Sequence, residues 1–194
     1  MNNKLKGKDF ITIGIFTVIY FVITSAVSML GVMPIFIPLT AVLVPLVGGI
    51  PMMLYFSKVK KFGMVTILGL LIGLLMMLTG MGYFSIITGV LAGALADLLM
   101  KKSGYASAKT DVLAHGVFSL WVVGPFIPII VTRESYAQML LTWSTQEYVD
   151  QLMHYMPNWI LPVGAVAAFI SGIVGGLIGR ALFKKHFQRA GMTQ

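Results

Sequence analysis

The chain has 194 residues, 58% hydrophobic and only 10% charged, with a mean hydropathy of +0.91 and a formal net charge of +8. Soluble domains carry about 25% charged residues, so this composition excludes an ordinary soluble enzyme, and its apolar content excludes disorder. The absence of cysteine excludes disulfides, thiolate metal sites and cysteine nucleophiles.

Ionised side chains are costly in hydrocarbon, so charge-free runs mark where a bilayer lies. Four stand out, at 10–57, 62–96, 112–132 and 151–179. One crossing needs about 20 apolar residues, and about 17 suffice. The first run therefore holds two helices, predicted at 9–31 and 37–57 and broken around Gly31, Pro34 and Pro38. The second divides at Thr79-Gly80-Met81-Gly82 into 62–78 and 84–102. The third and fourth give 111–131 and 158–184.

The expected fold class is all-α: a polytopic membrane protein, one integral membrane domain over 1–194 with six transmembrane helices. Five is the competing count. Six crossings put both termini on one side, together with the links Lys58–Lys61 and Lys101–Thr110. Thirteen of the fourteen Lys and Arg then share that side, against Arg133 alone on the other. Cytoplasmic loops collect Lys and Arg, so both termini are expected in the cytoplasm.

The segment 133–157 forms the long outer loop, and it is patterned. Tyr136, Met139, Leu140 and Trp143 recur at helical spacing, as do Val149, Leu152, Met153 and Met156. Ser144-Thr145-Gln146-Glu147 matches a capping box between them, with Ser144 at the cap and Glu147 reaching back. Two short amphipathic helices are expected, either packed on the membrane surface or lying as a lid over a pocket.

The helix at 111–131 carries Gly124-Pro125 and Pro128 in its outer half. Proline there removes amide donors, and the resulting irregular backbone either kinks a packed helix or borders a binding site. Gly69-x3-Gly73, Gly89-x3-Gly93, Gly172-x3-Gly176 and Gly175-x3-Gly179 present small residues on one face. Such faces serve either tight internal packing or the docking of another membrane subunit. The spacing Gly-x3-Gly-x3 leads to Asp97 on one helix and to Arg180 on another, with Lys101 and Lys184 four residues later. Asp97 and Arg180 are expected to share a depth and form an ion pair, with Lys101 as the alternative partner of Asp97.

No metalloprotease, phosphate-loop or nucleophile-elbow motif is present in the sequence. His115, His154 and His186 fall at separate depths, so no metal site is expected, and no cofactor. The outer half holds groups suited to a small planar or polar ligand: Thr79, Tyr83 and Phe84, then Ser119 and Trp121, then Glu134 beside Arg133, and Asn158 with Trp159. An aromatic belt at the interface is the other account of Tyr83 and Trp159.

Several segments carry a resemblance: Lys60-Lys61-Phe62-Gly63-Met64-Val65-Thr66, Thr79-Gly80-Met81-Gly82-Tyr83, Ser119-Leu120-Trp121-Val122-Val123-Gly124-Pro125 and Gly179-Arg180-Ala181-Leu182-Phe183-Lys184-Lys185-His186-Phe187. With them the chain resembles the S components of energy-coupling factor (ECF) transporters, in the Trep/Strep-type branch. The resemblance implies a substrate-capture subunit of an ABC importer in the bacterial cytoplasmic membrane. Such a subunit binds a micronutrient, a vitamin or a precursor such as hydroxymethylpyrimidine, near the outer face. It works with a transmembrane T subunit and two ATPases, and is no enzyme itself. Its small-x3-small docking motif would correspond to Gly14-x3-Val18, where Val18 departs from the pattern. The rival expectations are an autonomous secondary transporter or channel, which needs polar residues at mid-membrane, and an intramembrane enzyme, which needs clustered nucleophiles or metal ligands.

Overall fold

The computed structural model describes residues 4–189, with side chains as far as Lys185, so His186 and Arg189 lie outside the described side chains. Helix α1 (Gly7–Ser28) opens with its amide end toward Asp9, whose carboxylate accepts from the Lys6 amide at 2.7 Å and from Lys61 Nζ at 2.6 Å. An anion in a first turn complements the helix dipole. Two tight turns, Met29–Val32 and Pro34–Phe36, lead into α2 (Ile37–Lys58). Pro38 sits in the first turn of α2, where a missing amide costs nothing. Then come α3 (Met64–Leu78), α4 (Phe84–Lys102), α5 (Ala108–Phe118), the 3₁₀ segment Ser119–Phe126, α6 (Ile127–Val131), α7 (Arg133–Leu140), α8 (Gln146–Tyr155) and α9 (Ile160–Arg189).

Among the described residues, five segments are long and apolar enough to cross a membrane: Gly7–Val32, Pro34–Lys58, Phe84–Lys102, Ala108–Val131 and Ile160–Lys185. Helix α3 has 15 residues. At 1.5 Å per residue it measures about 22 Å, against a hydrocarbon core of about 30 Å. It runs antiparallel along α4, with Gly93 against Val65 and Thr66 near one end and Gly73 against Ser85 and Ile86 near the other. The two ends of the bundle differ in charge. Lys61 Nζ also donates to the Lys4 carbonyl at 3.1 Å, and Lys60 Nζ to the Tyr105 carbonyl at 3.4 Å, so the N-terminal segment and both lysine-rich links meet at one end.

Three expectations need correction. The helix expected at 111–131 is three pieces, because the regular α-helix stops at Phe118. Pro125 has no amide to offer the Trp121 carbonyl four residues back, and Thr88 Oγ1 of α4 donates to that carbonyl instead, at 3.0 Å. The cap of α8 is Thr145, whose Oγ1 accepts from the Tyr148 amide at 3.3 Å, and not Ser144. Ser144 is held in the last turn of α7 through its amide to the Leu140 carbonyl, and Glu147 accepts from Gln151 rather than reaching back.

The third concerns Asp97. Its carboxylate is fully buried and accepts from the amides of Gly63 (3.0 Å), Val65 (3.3 Å) and Thr66 (2.8 Å), and from Thr66 Oγ1 (2.6 Å). These are the donors that the start of a helix leaves without partners, so Asp97 caps α3 from a neighbouring helix. Gly63, at φ +98°, turns the link so that its amide points at the carboxylate. Arg180 stands elsewhere, in a crevice with Asp111 and Lys184 at the lysine-rich end. The matching spacing placed the two charges at similar depth, but they lie on different faces of the bundle.

The glycine faces are consumed inside the molecule. Gly69 and Gly89 meet backbone to backbone, which brings α3 and α4 together. On α9 the two offset motifs serve two neighbours. Gly172 and Gly176 face Gly116 and Val112 of α5 and Ser119 just beyond it, while Gly175 and Gly179 face Pro45, Leu46 and Gly49 of α2. At most of these glycines a Cβ would overlap the neighbour's backbone, so α9 is wedged between α5 and α2 by small residues on two sides.

Candidate functional site

At the end opposite the lysines, the broken backbone opens a cavity of about 260 Å³. Its floor is Trp121, 2% exposed, whose indole N–H donates to the Tyr20 hydroxyl at 2.9 Å. Tyr20 and Phe118 beneath it are fully buried, and both rings meet Tyr20 edge-on, Phe118 at 5.8 Å and Trp121 at 6.1 Å. One wall comes from the α1–α2 connection, with Ser28, Gly31, Ile37, Thr40 and Val44. Another comes from the end of α3, with Met76, Thr79, Gly80 and Met81, and a third from Val122, Pro125, Phe126 and Ile129 of the broken segment.

The outer loop covers this space. Tyr136, Met139, Leu140 and Trp143 of α7 and its last turn line the cavity, with Tyr148 and Leu152 of α8. The amphipathic stripe, expected either on the membrane surface or over a pocket, is turned onto the bundle, and the pair of helices forms a roof. Two ties hold it. Tyr148 OH donates to the Gly31 carbonyl at 2.9 Å, joining α8 to the α1–α2 turn. Arg133 donates to the Met156 carbonyl at 2.8 Å and to the Met153 carbonyl, where its charge meets the carboxyl-terminal end of α8. Burial holds the Tyr136 and Tyr148 phenols above their ordinary value, and Tyr148 adds to the effect on Tyr136, so both stay protonated and neutral around pH 7.

The residues singled out from sequence divide. Thr79 and Trp121 line the cavity. Ser119 is buried but faces away, with Oγ donating to the His115 carbonyl at 2.7 Å against Gly172. Tyr83 is 59% exposed and stacks on Phe84 at 4.4 Å, outside the cavity. Trp159 is 60% exposed and Asn158 and Glu134 are exposed, so these three stand on the surface of the bundle. Tyr83 and Trp159 occupy the positions an aromatic belt would use. His115 is buried, with Nε2 at 3.0 Å from the Pro45 carbonyl, which assigns its proton to Nε2. Among the described residues no group of His, Asp and Glu could hold a metal.

Sequence reasoning missed Ser28, Thr40 and Tyr20. The signal for Tyr20 was present: a tyrosine in mid-span needs a partner for its hydroxyl, and Trp121 supplies one. Ser28 and Thr40 flank the Gly31–Pro38 break, but which face of each helix turns inward depends on packing.

No curated protein and no solved structure gives a significant match to this chain. The model of a family described as a hypothetical bacterial integral membrane protein (Trep_Strep) matches residues 7–189, nearly the whole chain. The chain accordingly belongs to the Trep_Strep family of bacterial integral membrane proteins.

Proposed function

We propose that this chain is the substrate-capture S component of an ECF-type ABC importer, lying in the bacterial cytoplasmic membrane with both termini in the cytoplasm and α3 as a sixth crossing. The observation that carries this reading is the cavity: aromatic, roofed by α7 and α8, closed beneath by Tyr20, Phe118 and Trp121, and placed at the end remote from the lysines. A compartment open toward one side and sealed toward the other suits capture, and it leaves the energy for release to partners. Those partners are a transmembrane T subunit and two ATPases, and the chain itself is no enzyme and carries no cofactor. The cargo is a small micronutrient, with hydroxymethylpyrimidine the compound suggested by the resemblance, and a planar ring suits the face of Trp121.

Helix α1 supports the docking of a partner. A Cβ placed on Gly14 would meet no atom within 4 Å, unlike the packed glycines of α2, α3, α4 and α9, and Val18 one turn on is 60% exposed. The notch at Gly14 therefore faces outward on an apolar surface, as a helix–helix contact in lipid requires.

The test is co-purification and reconstitution. Tagged protein should bring down a T subunit and two ATPases, and vesicles should take up cargo only when all are present with ATP. Uphill accumulation by vesicles holding this chain alone would refute the reading.

A further inference from the structure

Among the described residues, the lining of the cavity contains no Asp, Glu, Lys, Arg or His. Its polar side-chain groups are hydroxyls and two indole N–H groups, and apart from the Tyr136 hydroxyl and the Trp143 N–H their protons are committed. Ser28 Oγ donates to the Thr24 carbonyl at 2.9 Å, Thr40 Oγ1 to that of Ile37 at 2.6 Å, Thr79 Oγ1 to that of Met76 at 2.8 Å, and Tyr148 OH to that of Gly31 at 2.9 Å. The Trp121 N–H is likewise taken, by Tyr20. A hydroxyl that donates to the backbone still offers its lone pairs, so these side chains present acceptors to the cavity. The rest of the lining is methionine, branched aliphatic and aromatic.

We infer that the cavity takes an uncharged, largely apolar molecule of one or two rings that brings its own N–H or O–H donors, and that it rejects the ionised forms of the same scaffold. This rests on the capture reading and names the chemical class of the cargo. The size follows from the volume, about 260 Å³, just below the range of roughly 300–1,000 Å³ that accommodates drug-sized ligands. An anion would lose its water and meet mostly lone pairs, with no cationic group and only the Tyr136 hydroxyl and the Trp143 N–H to donate to it. A cation would meet aromatic faces, but no carboxylate to offset its desolvation. The ligand's own N–H or O–H groups, by contrast, find acceptors without any lining side chain having to give up a bond it already makes.

The test uses protein in nanodiscs and two matched probe sets. One is benzyl alcohol, benzoate and benzyltrimethylammonium; the other is indole-3-methanol, indole-3-acetate and the phosphate ester of the alcohol. Binding is read by quenching of tryptophan fluorescence, since Trp121 and Trp143 both line the cavity, corrected against empty nanodiscs. The neutral member of each set should bind at least about a hundredfold tighter than its ions, the discrimination expected where burial of an unpaired charge costs several kcal/mol. Thr79→Lys places an ammonium at the exposed rim and should raise the affinity for benzoate relative to benzyl alcohol by about tenfold. Neutral probes that fail to bind, or ions that bind as tightly, overturn the inference. Its failure is separable from that of the capture reading. Ions bound in the cavity by a chain that still pulls down its partners would sink only the cargo class. A chain without partners whose cavity still prefers neutral probes would sink only the importer.

Discussion

Removing the Asp97 carboxylate tests the packing logic of the bundle most directly. In the folded protein it accepts four hydrogen bonds, three of them from amides at the start of α3, in a fully buried position. Loss of a helix cap costs about 0.5–2 kcal/mol. Each buried donor left without a partner adds about 1–3 kcal/mol, and these terms overlap because α3 can relax. Asp97→Ala should therefore destabilise the protein by about 3–5 kcal/mol. Asp97→Asn keeps one acceptor oxygen but turns an NH₂ toward donors, and should cost about 2 kcal/mol. Thr66→Val removes only the hydroxyl bond and should cost about 1 kcal/mol.

The order Ala, then Asn, then Thr66→Val is as diagnostic as the sizes. Unfolding by titrated sodium dodecyl sulfate in mixed micelles, followed by tryptophan fluorescence, supplies the three values. The same assay separates the cap from the ion pair that the sequence spacing suggested. If Asp97 served Arg180, then Asp97→Arg combined with Arg180→Asp would recover stability lost in either single variant. The cap predicts no recovery, since an aspartate at 180 cannot reach the amides of residues 63–66. Recovery in the double variant, or an Asp97→Ala protein within about 0.5 kcal/mol of the parent, a difference typical of a bare surface change, would refute this account.

Three other outcomes follow from the same contacts. Gly175→Leu should abolish the monodisperse folded protein on size exclusion, because its Cβ position is filled by the Pro45 and Leu46 backbone, whereas Gly14→Leu should fold normally and lose only partner pull-down. Thr88→Val removes the hydroxyl that reaches the Trp121 carbonyl across from α4 and should lower stability by about 1 kcal/mol in the dodecyl sulfate assay; no loss would show that this contact does not hold the broken segment. Arg133→Ala unties α8 from the start of α7, so limited proteolysis within 133–157 should quicken about tenfold while the melting temperature of the bundle stays within a few degrees; unchanged cleavage would show that the Tyr148 tie suffices.

The helical segments were legible because charge and proline are costly in lipid and leave plain marks. Helix α4 was expected at 84–102 and is found there, and α2 was expected at 37–57 and ends one residue later, at Lys58. The roof was legible as an amphipathic stripe, but its destination was not: a moment says which face is apolar, and says nothing of whether lipid or protein covers it. The same limit explains the site residues. Trp121 was recognisable because it lies deep in a broken span. Ser119, two residues earlier, has the same depth but points to α9, since in a 3₁₀ segment two residues turn the chain by about 240°. Asp97 and Arg180 fail for the same reason, because spacing along an axis fixes depth and leaves rotation free. Thr40 and Ser28 went unmarked since hydroxyls are inexpensive in a helix, where each can donate back to its own backbone.

That economy of hydroxyls ties the cavity to the rest of the bundle. A membrane helix that breaks must find partners for the freed carbonyls, and here a threonine of α4 answers for Trp121 while the roof and floor are held by single bonds between aromatic hydroxyls, an indole and the backbone. The lower bundle has no such slack, because its helices touch through glycine backbones. The roofed cavity lies above the Tyr20–Trp121 contact, and passage beneath it would require parting α1 from the broken segment that carries Trp121. The outward-facing notch at Gly14 lies six residues, less than two turns, from Tyr20 on α1. In the proposed capture role, a partner gripping α1 there would act on the floor of the cavity through one rigid element.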